Sequence, residues 1–118
     1  MPDTRTMIEI QFTPEFKRNL RTLAKKYRHI RDDIAPIIST LQAGELLGDQ
    51  ISGVGYTLYK VRVPNQDRAK GKSGGYRIIY YMNTAVDIIL VTIYSKTEQA
   101  DISTAQIRSI VDEFQPGE

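Results

Sequence analysis

The sequence predicts a small α+β domain in the order β-α-α-β-β-β-α, and three observations predict it. Apolar residues recur at helical spacing near the start and at the end of the chain. Three consecutive period-two or wholly apolar segments lie between them, joined by short links. The length of 118 residues suits one domain spanning 1–118, and a chain of that size buries enough surface to fold without staples.

The elements follow in order. MIEIQF alternates Met7, Glu9 and Gln11 against Ile8, Ile10 and Phe12, as a half-buried strand does. TPEF opens a helix: Thr13 caps it, Pro14 suits the first helical position, and Glu15 suits the positive end of the dipole. Phe16, Leu20, Leu23, Ala24 and Tyr27 give that helix one apolar face. A second helix is expected in DDIAPIISTLQAGE, capped by Asp32 or Asp33 so that Pro36 falls in its first turn. AGELLGDQISGVG reads as a glycine-rich connection.

YTLYKVRVP is a strand with Tyr59, Val61 and Val63 on one face and Leu58, Lys60 and Arg62 on the other, stopped by Pro64. NQDRAKGKSGG is a loop, YRIIYYM the next strand and NT a turn. AVDIILVTIYS is apolar on both faces, as a central strand is. The last helix starts from Ser103 or Thr104 as cap and packs through Ile107, Ile110, Val111 and Phe114. The three consecutive strands form an antiparallel meander, which the first strand joins at an edge or in the middle.

Composition narrows the function classes. With no cysteine there is no disulfide framework, thiolate metal site or thiol nucleophile, and a reducing cytosol suits the chain. The opening MPDTRTMIEI holds no apolar run of signal-peptide length, and no stretch approaches a membrane span, so the expectation is a soluble, cytoplasmic protein. The net charge is only +2, but it is unevenly spread. From Lys60 to Arg77 there are six Lys or Arg against one acid, and from Thr97 to Glu118 five acids against one base. A second basic run comprises Lys17, Arg18, Arg21, Lys25, Lys26, Arg28 and Arg31. Positive charge gathered on part of a domain is the footprint of a phosphate-binding surface; outward-facing helix cations are the alternative for the second run.

Several motifs fail closer reading. GKS at 71–73 is not a P-loop: Gln66 stands where the first glycine belongs, and a strand follows where a helix must begin. His29 has no His or Cys companion for a metal and reads as an exposed linker residue. Glu98 and Asp101 are close enough in sequence for acid–base or metal work, but acids just before a helix more often support its N-terminus. The basic cluster survives: Lys60 and Arg62 on one side of a strand, Arg77 opening the next, Lys96 ending the one after, with Tyr76, Tyr80, Tyr81 and Tyr94 nearby.

LYKVRVP, KGKSGGYRIIYYM and VTIYSKTEQADIS, followed by a terminal helix, resemble the RelE/ParE superfamily of type II toxin–antitoxin toxins, in particular its HigB/RelE-like branch. The resemblance covers nearly the whole chain. It implies two N-terminal helices packed on an antiparallel sheet, a toxin held inactive by a cognate antitoxin, and cleavage of mRNA in the ribosomal A site. By position it carries Lys60 and Arg62 onto the paired basic residues of the RelE-like strand, Arg77 onto the arginine of its following strand, and Lys96 onto a basic residue after its last strand. Arg68, Lys70 and Lys72 are then RNA-binding candidates.

The chemistry suits those residue types. Cleavage by 2′-hydroxyl attack needs a base, a stabiliser for the phosphorane and a proton for the 5′-oxygen. Arg62 and Arg77 match phosphate bidentately. Lys60, crowded by like charge, is the candidate base. Ile102 stands where RelE-like proteins carry a tyrosine, so Tyr94 or a lysine is left as proton donor. No metal or other cofactor is required. Two alternatives are a ParE-like gyrase inhibitor, which would act through protein contact, and a non-catalytic RNA- or ribosome-binding domain. An antitoxin would cover the basic groove, wedge a helix against the sheet, or add a strand to an exposed edge.

Overall fold

The computed structural model describes residues 7–52, 55–64, 75–99 and 101–114. Its elements are β1 (Glu9–Phe12), α1 (Pro14–Lys26), α2 (Ile30–Gln42), β2 (Asp49–Ile51), β3 (Leu58–Val63), β4 (Tyr76–Thr84), β5 (Asp87–Ser95) and α3 (Thr104–Glu113). The expected α+β fold is present, with one short strand more than the sequence reading supplied. The sheet runs β1-β5-β4-β3-β2; β1 pairs parallel to β5 at one edge and every other pairing is antiparallel.

α1 begins as its residues dictate: Pro14 opens it and the Thr13 side chain accepts a hydrogen bond from the Phe16 N–H at 3.0 Å. The Thr13 hydroxyl also donates to the Val91 carbonyl at 2.7 Å, tying the cap to β5. α2 departs from expectation. It begins at Ile30 with His29 as N-cap, so Pro36 lies inside the helix rather than in its first turn. Burial of Ile30 and Ile34 extends the helix backwards. Pro36 and Asp32, whose carbonyl the proline cannot engage, are exposed, so water can serve that carbonyl.

The connection after α2 contains β2, which is only three residues long and pairs Asp49, Gln50 and Ile51 with Lys60, Tyr59 and Leu58. The β4–β5 turn is also displaced. Asn83 and Thr84 continue β4, and the reversal falls at Ala85–Val86, closed by the Thr84–Asp87 pair. Two local hydrogen bonds hold it: Asn83 Nδ2 to Asp87 Oδ2 at 3.1 Å, and Val86 N–H to Thr84 Oγ1 at 3.2 Å.

Two cores sit on opposite sheet faces. On the first, α1 and α2 bring Phe16, Leu23, Ile30, Ile34 and Leu41 against Val61, Val63, Tyr76, Ile78, Tyr80 and Leu90. On the second, α3 brings Ile107 and Val111 against Leu58, Ile79, Tyr81, Ile89 and Val91. Ser103 caps α3, accepting from the Gln106 N–H at 3.1 Å, and Ile102, Ile110 and Phe114 complete its packed face.

Candidate nucleic-acid site on the sheet

Period-two alternation decides where the cations go. Val61 and Val63 point into the first core, so Lys60 and Arg62 project from the second face. Tyr76 and Ile78 likewise flank Arg77, and Tyr94 lies in the second cluster. Register then aligns them: Arg62 lies directly across from Arg77, and Arg77 directly across from Tyr94. Direct cross-strand neighbours approach to about 5 Å between Cβ atoms, so three separate strands place two guanidiniums and a phenol in one row. Arg62 is exposed, Arg77 half-buried and Tyr94 buried. Arg77 Nη1 also donates to its neighbour's carbonyl, Tyr76 O, at 3.3 Å.

Gly75 permits this geometry. Its φ is +76°, and a Cβ there would lie 2.5 Å from the Val63 carbonyl oxygen, so any larger residue would force β4 away from β3 beside the two arginines. Its carbonyl accepts the Lys96 N–H at 3.0 Å, which places Lys96 in the turn immediately after β5, half-exposed.

Asp101, in the segment leading to α3, closes the site. Its Oδ1 accepts from Lys60 Nζ at 3.1 Å, from the Tyr94 hydroxyl at 3.1 Å and from the Ile102 N–H at 2.9 Å. The Ile102 N–H, then Lys60, hold its carboxyl below the usual range. Tyr94 is pushed up to about 12, chiefly by burial and then by its bond to Asp101, with Arg77 acting in the opposite direction. The phenol is therefore a proton donor, not a base, at neutral pH.

Asp101 was read from the sequence as support for the last helix; Ser103 does the capping, and Asp101 is instead turned to the basic face. The signal was its place in the YSKTEQAD run, where spacing alone cannot say which way the side chain turns. Glu98 faces elsewhere, accepting from Lys26 at 2.9 Å and Tyr27 at 3.3 Å, so the two acids do not form a pair. Among the described residues, no group of three or more His, Cys, Asp or Glu side chains converges on a metal position. His29 is exposed, and Ile102 packs against the second core. Arg68, Lys70, Lys72 and the GKS stretch lie outside the described residues.

The molecule is thus a small α+β domain whose meander, backed by two helices, carries a cationic row on its other face. Residues 16–112 match the family described as the RelE toxin of the RelE/RelB toxin–antitoxin system. The chain belongs to the RelE toxin family, and membership implies a cognate antitoxin. Its fold is similar to that of a double mutant of the E. coli toxin RelE in the free state, with a TM-score of 0.54 and 14% identity over 92% of this chain and 99% of that one. Among the described residues, no helix is long and apolar enough to cross a membrane.

Proposed function

We propose that the chain is a ribosome-dependent mRNA endoribonuclease and that the open part of the second sheet face is its active site. The observation that carries this reading is the Arg62–Arg77 pair. Arg62 and Arg77 lie directly opposite each other on neighbouring strands, where two guanidiniums side by side can be bridged by one anion. A phosphodiester is the anion that two guanidiniums fit best.

In the proposed reaction the 2′-hydroxyl attacks the adjacent phosphorus, its proton passes to a base, the P–O5′ bond breaks, and the 5′-oxygen takes up a proton. The products are a 2′,3′-cyclic phosphate and a 5′-hydroxyl. Arg62 and Arg77 hold the non-bridging oxygens, and their bonds strengthen as the phosphorane gains charge. Tyr94 is the donor to the 5′-oxygen once its hydroxyl turns from Asp101 to the RNA, and Lys60 serves as base in its neutral amine form, after its ammonium has released a proton to water and its bond to Asp101 has given way to the incoming 2′-hydroxyl. Lys96, at the end of the row, and Arg68, Lys70 and Lys72 hold flanking phosphates. None of these steps passes through a metal. A cognate antitoxin would act by denying RNA this face.

Primer extension on a reporter mRNA in a purified translation system tests the reading, with wild type and Arg77→Ala, with and without ribosomes. Cuts that need both the ribosome and Arg77 support it. Absence of cuts from a wild-type protein that still arrests growth would transfer the activity to gyrase or another protein target.

A further inference from the structure

Tyr94 reaches the arginine row only because β5 changes parity partway along. Ile88 and Leu90 belong to the first core, and Ile89 and Val91 to the second. Beyond them the order reverses: Ile93 lies in the first core and Tyr94 in the second. A regular strand keeps alternate residues on one face and would send Tyr94 to the side that α1 and α2 cover. The change falls where Ile79 pairs with Thr92 and Tyr80 with Leu90, so Val91 is one extra residue in β5, a bulge. Two residues hold that bulge from the outer edge of β5, where β1 has already ended at Phe12. The Thr13 N–H donates to the Leu90 carbonyl at 3.2 Å, and its hydroxyl to the Val91 carbonyl at 2.7 Å. Two consecutive carbonyls thus turn to one edge, which a regular strand does not allow. Asn19, from the middle of α1, completes the clamp. Its Nδ2 donates to Thr92 Oγ1 at 3.0 Å and to the Ile93 carbonyl at 3.3 Å, and Glu15 Oε2, 3.2 Å away, orients the amide.

We infer that Asn19, with Thr13, is a positioning residue for the cleavage site: from the opposite side of the sheet it locks the β5 bulge, and the bulge turns Tyr94 to the arginine row. The inference rests on the nuclease reading, in which Tyr94 gives the 5′-oxygen its proton, and adds the group that keeps this donor on the right face. A bulge disrupts the ladder around it, and a slip of one residue moves every side chain beyond it to the other face. Bonds to three successive residues, Val91, Thr92 and Ile93, pin the bulge at one place. Thr13 and Thr92 are buried, so bulk water does not replace these partners. Asparagine is a poorer helix former than alanine, and its half-buried place in α1 is accounted for by what it binds on β5. Arg77 does not depend on the clamp, because the pairing of β4 with β3 runs from Val63 to Leu58 without a shift. Asn19 therefore acts on proton donation and leaves phosphate binding to the two arginines.

The experiment is single-turnover cleavage of two reporter mRNAs on programmed ribosomes, one natural and one with sulfur in place of the bridging 5′-oxygen at the cut. A thiolate leaves without a proton, so loss of the donor slows the natural mRNA and spares the sulfur one. Asn19→Ala should cut the natural mRNA about tenfold more slowly or worse, and the sulfur mRNA at close to the wild-type rate. The half-saturating protein concentration should not change, since the arginines are untouched. This is the pattern of Tyr94→Phe in smaller size. Leu20→Ala, which loosens α1 on the first core but removes no hydrogen bond to the bulge, should treat both mRNAs as wild type does. Wild-type cutting of the natural mRNA by Asn19→Ala overturns the inference, as does a slowing that, unlike that of Tyr94→Phe, falls equally on both. A titration of the isotope-labelled tyrosine ring carbons by NMR needs no cleavage and keeps the two readings apart. In Asn19→Ala the Tyr94 midpoint should drop from about 12 by roughly half a unit or more, because a phenol no longer held loses its burial and its bond to Asp101. Tyr80, also near 12 but in the first core, should hold. A wild type that never cuts ends the nuclease reading; a Tyr94 midpoint that does not move ends this one. Should Asn19→Ala misfold by circular dichroism, Thr92→Val removes the oxygen that Asn19 binds at nearly the same shape and gives the same comparison.

Discussion

Strands β3, β4 and β5 carry two unlike surfaces along one face of the same sheet. One half, with Leu58, Ile79, Tyr81, Ile89 and Val91, is sealed under α3. Among the described residues, the other half, with Lys60, Arg62 and Arg77, is not in the cluster packed under α3. β3 and β4 keep one alternation through both halves, while β5 changes parity between Val91 and Ile93 at a register shift opposite Ile79 and Tyr80, so the residue pattern along β3 and β4 does not say which half is covered. Helix length does: α3 has 10 residues and spans about 15 Å, whereas β4 has nine and spans about 30 Å. A short helix on long strands leaves part of a face uncovered, and this chain places its charge there.

The comparison predicts that substitutions in the two halves fail differently. Arg77→Ala, in the open half, should reduce ribosome-dependent cleavage by at least about 10²-fold, as loss of a phosphorane-stabilising group does. Its melting temperature should stay close to wild type, because a surface change outside the core usually alters stability by no more than about 0.5 kcal/mol. Primer extension and a thermal melt, run on the same preparation, check both. A parallel fall in the two would make the row structural.

Ile107→Ala should do the reverse. Ile107 is 1% exposed beneath α3, and deleting such a side chain costs about 2–5 kcal/mol. Urea unfolding should show the loss, while the fraction that remains folded cleaves normally because the arginine row is untouched. Gly75→Ala should damage both halves at once. The forced positive φ costs about 1–3 kcal/mol, and the displaced β4 start moves Arg77 away from Arg62. A variant that keeps its stability or its cleavage would show that the strand opening adapts more freely than the close contact implies.

Much of the fold was legible because each element repeats its signal. Thr13–Pro14, the Ser103 cap and the alternation in LYKVRV are local patterns reinforced over several residues. What escaped was short or decided elsewhere. β2 is three residues long, below any periodic signal, and exists because β3 offers it an edge. The α2 start was set by burial of Ile30, which a count from Pro36 cannot reveal. The cations of the sheet face were visible as residue types, and their side followed from alternation, but the Arg62–Arg77–Tyr94 row depends on interstrand register. Register is a long-range property, as is the contact of Asp101 with Lys60 across 41 positions.

That contact bridges the two halves, and it yields the smallest effect. Folding depresses the Asp101 carboxyl, so its contribution to stability is present above the unfolded carboxylate value of about 3.9 and is lost as pH falls through the lower folded value. The side chain is 63% exposed, so the contribution is at most about 1 kcal/mol. Asp101→Asn should therefore lower the urea midpoint slightly at pH 7, and the gap from wild type should close below about pH 4. Tyr94 carries the opposite sign. Its raised value stabilises the fold below about pH 10, and that stability is lost as pH climbs through about 12. In Asp101→Asn the Tyr94 midpoint, read as the alkaline absorbance difference from Tyr94→Phe, should fall only partway from about 12 toward the ordinary tyrosine value, because burial is the larger cause. A full return would mean that Asp101, not the sheet beneath it, keeps the phenol dry, and the boundary between the sealed and open halves would then have to be drawn on the other side of Tyr94.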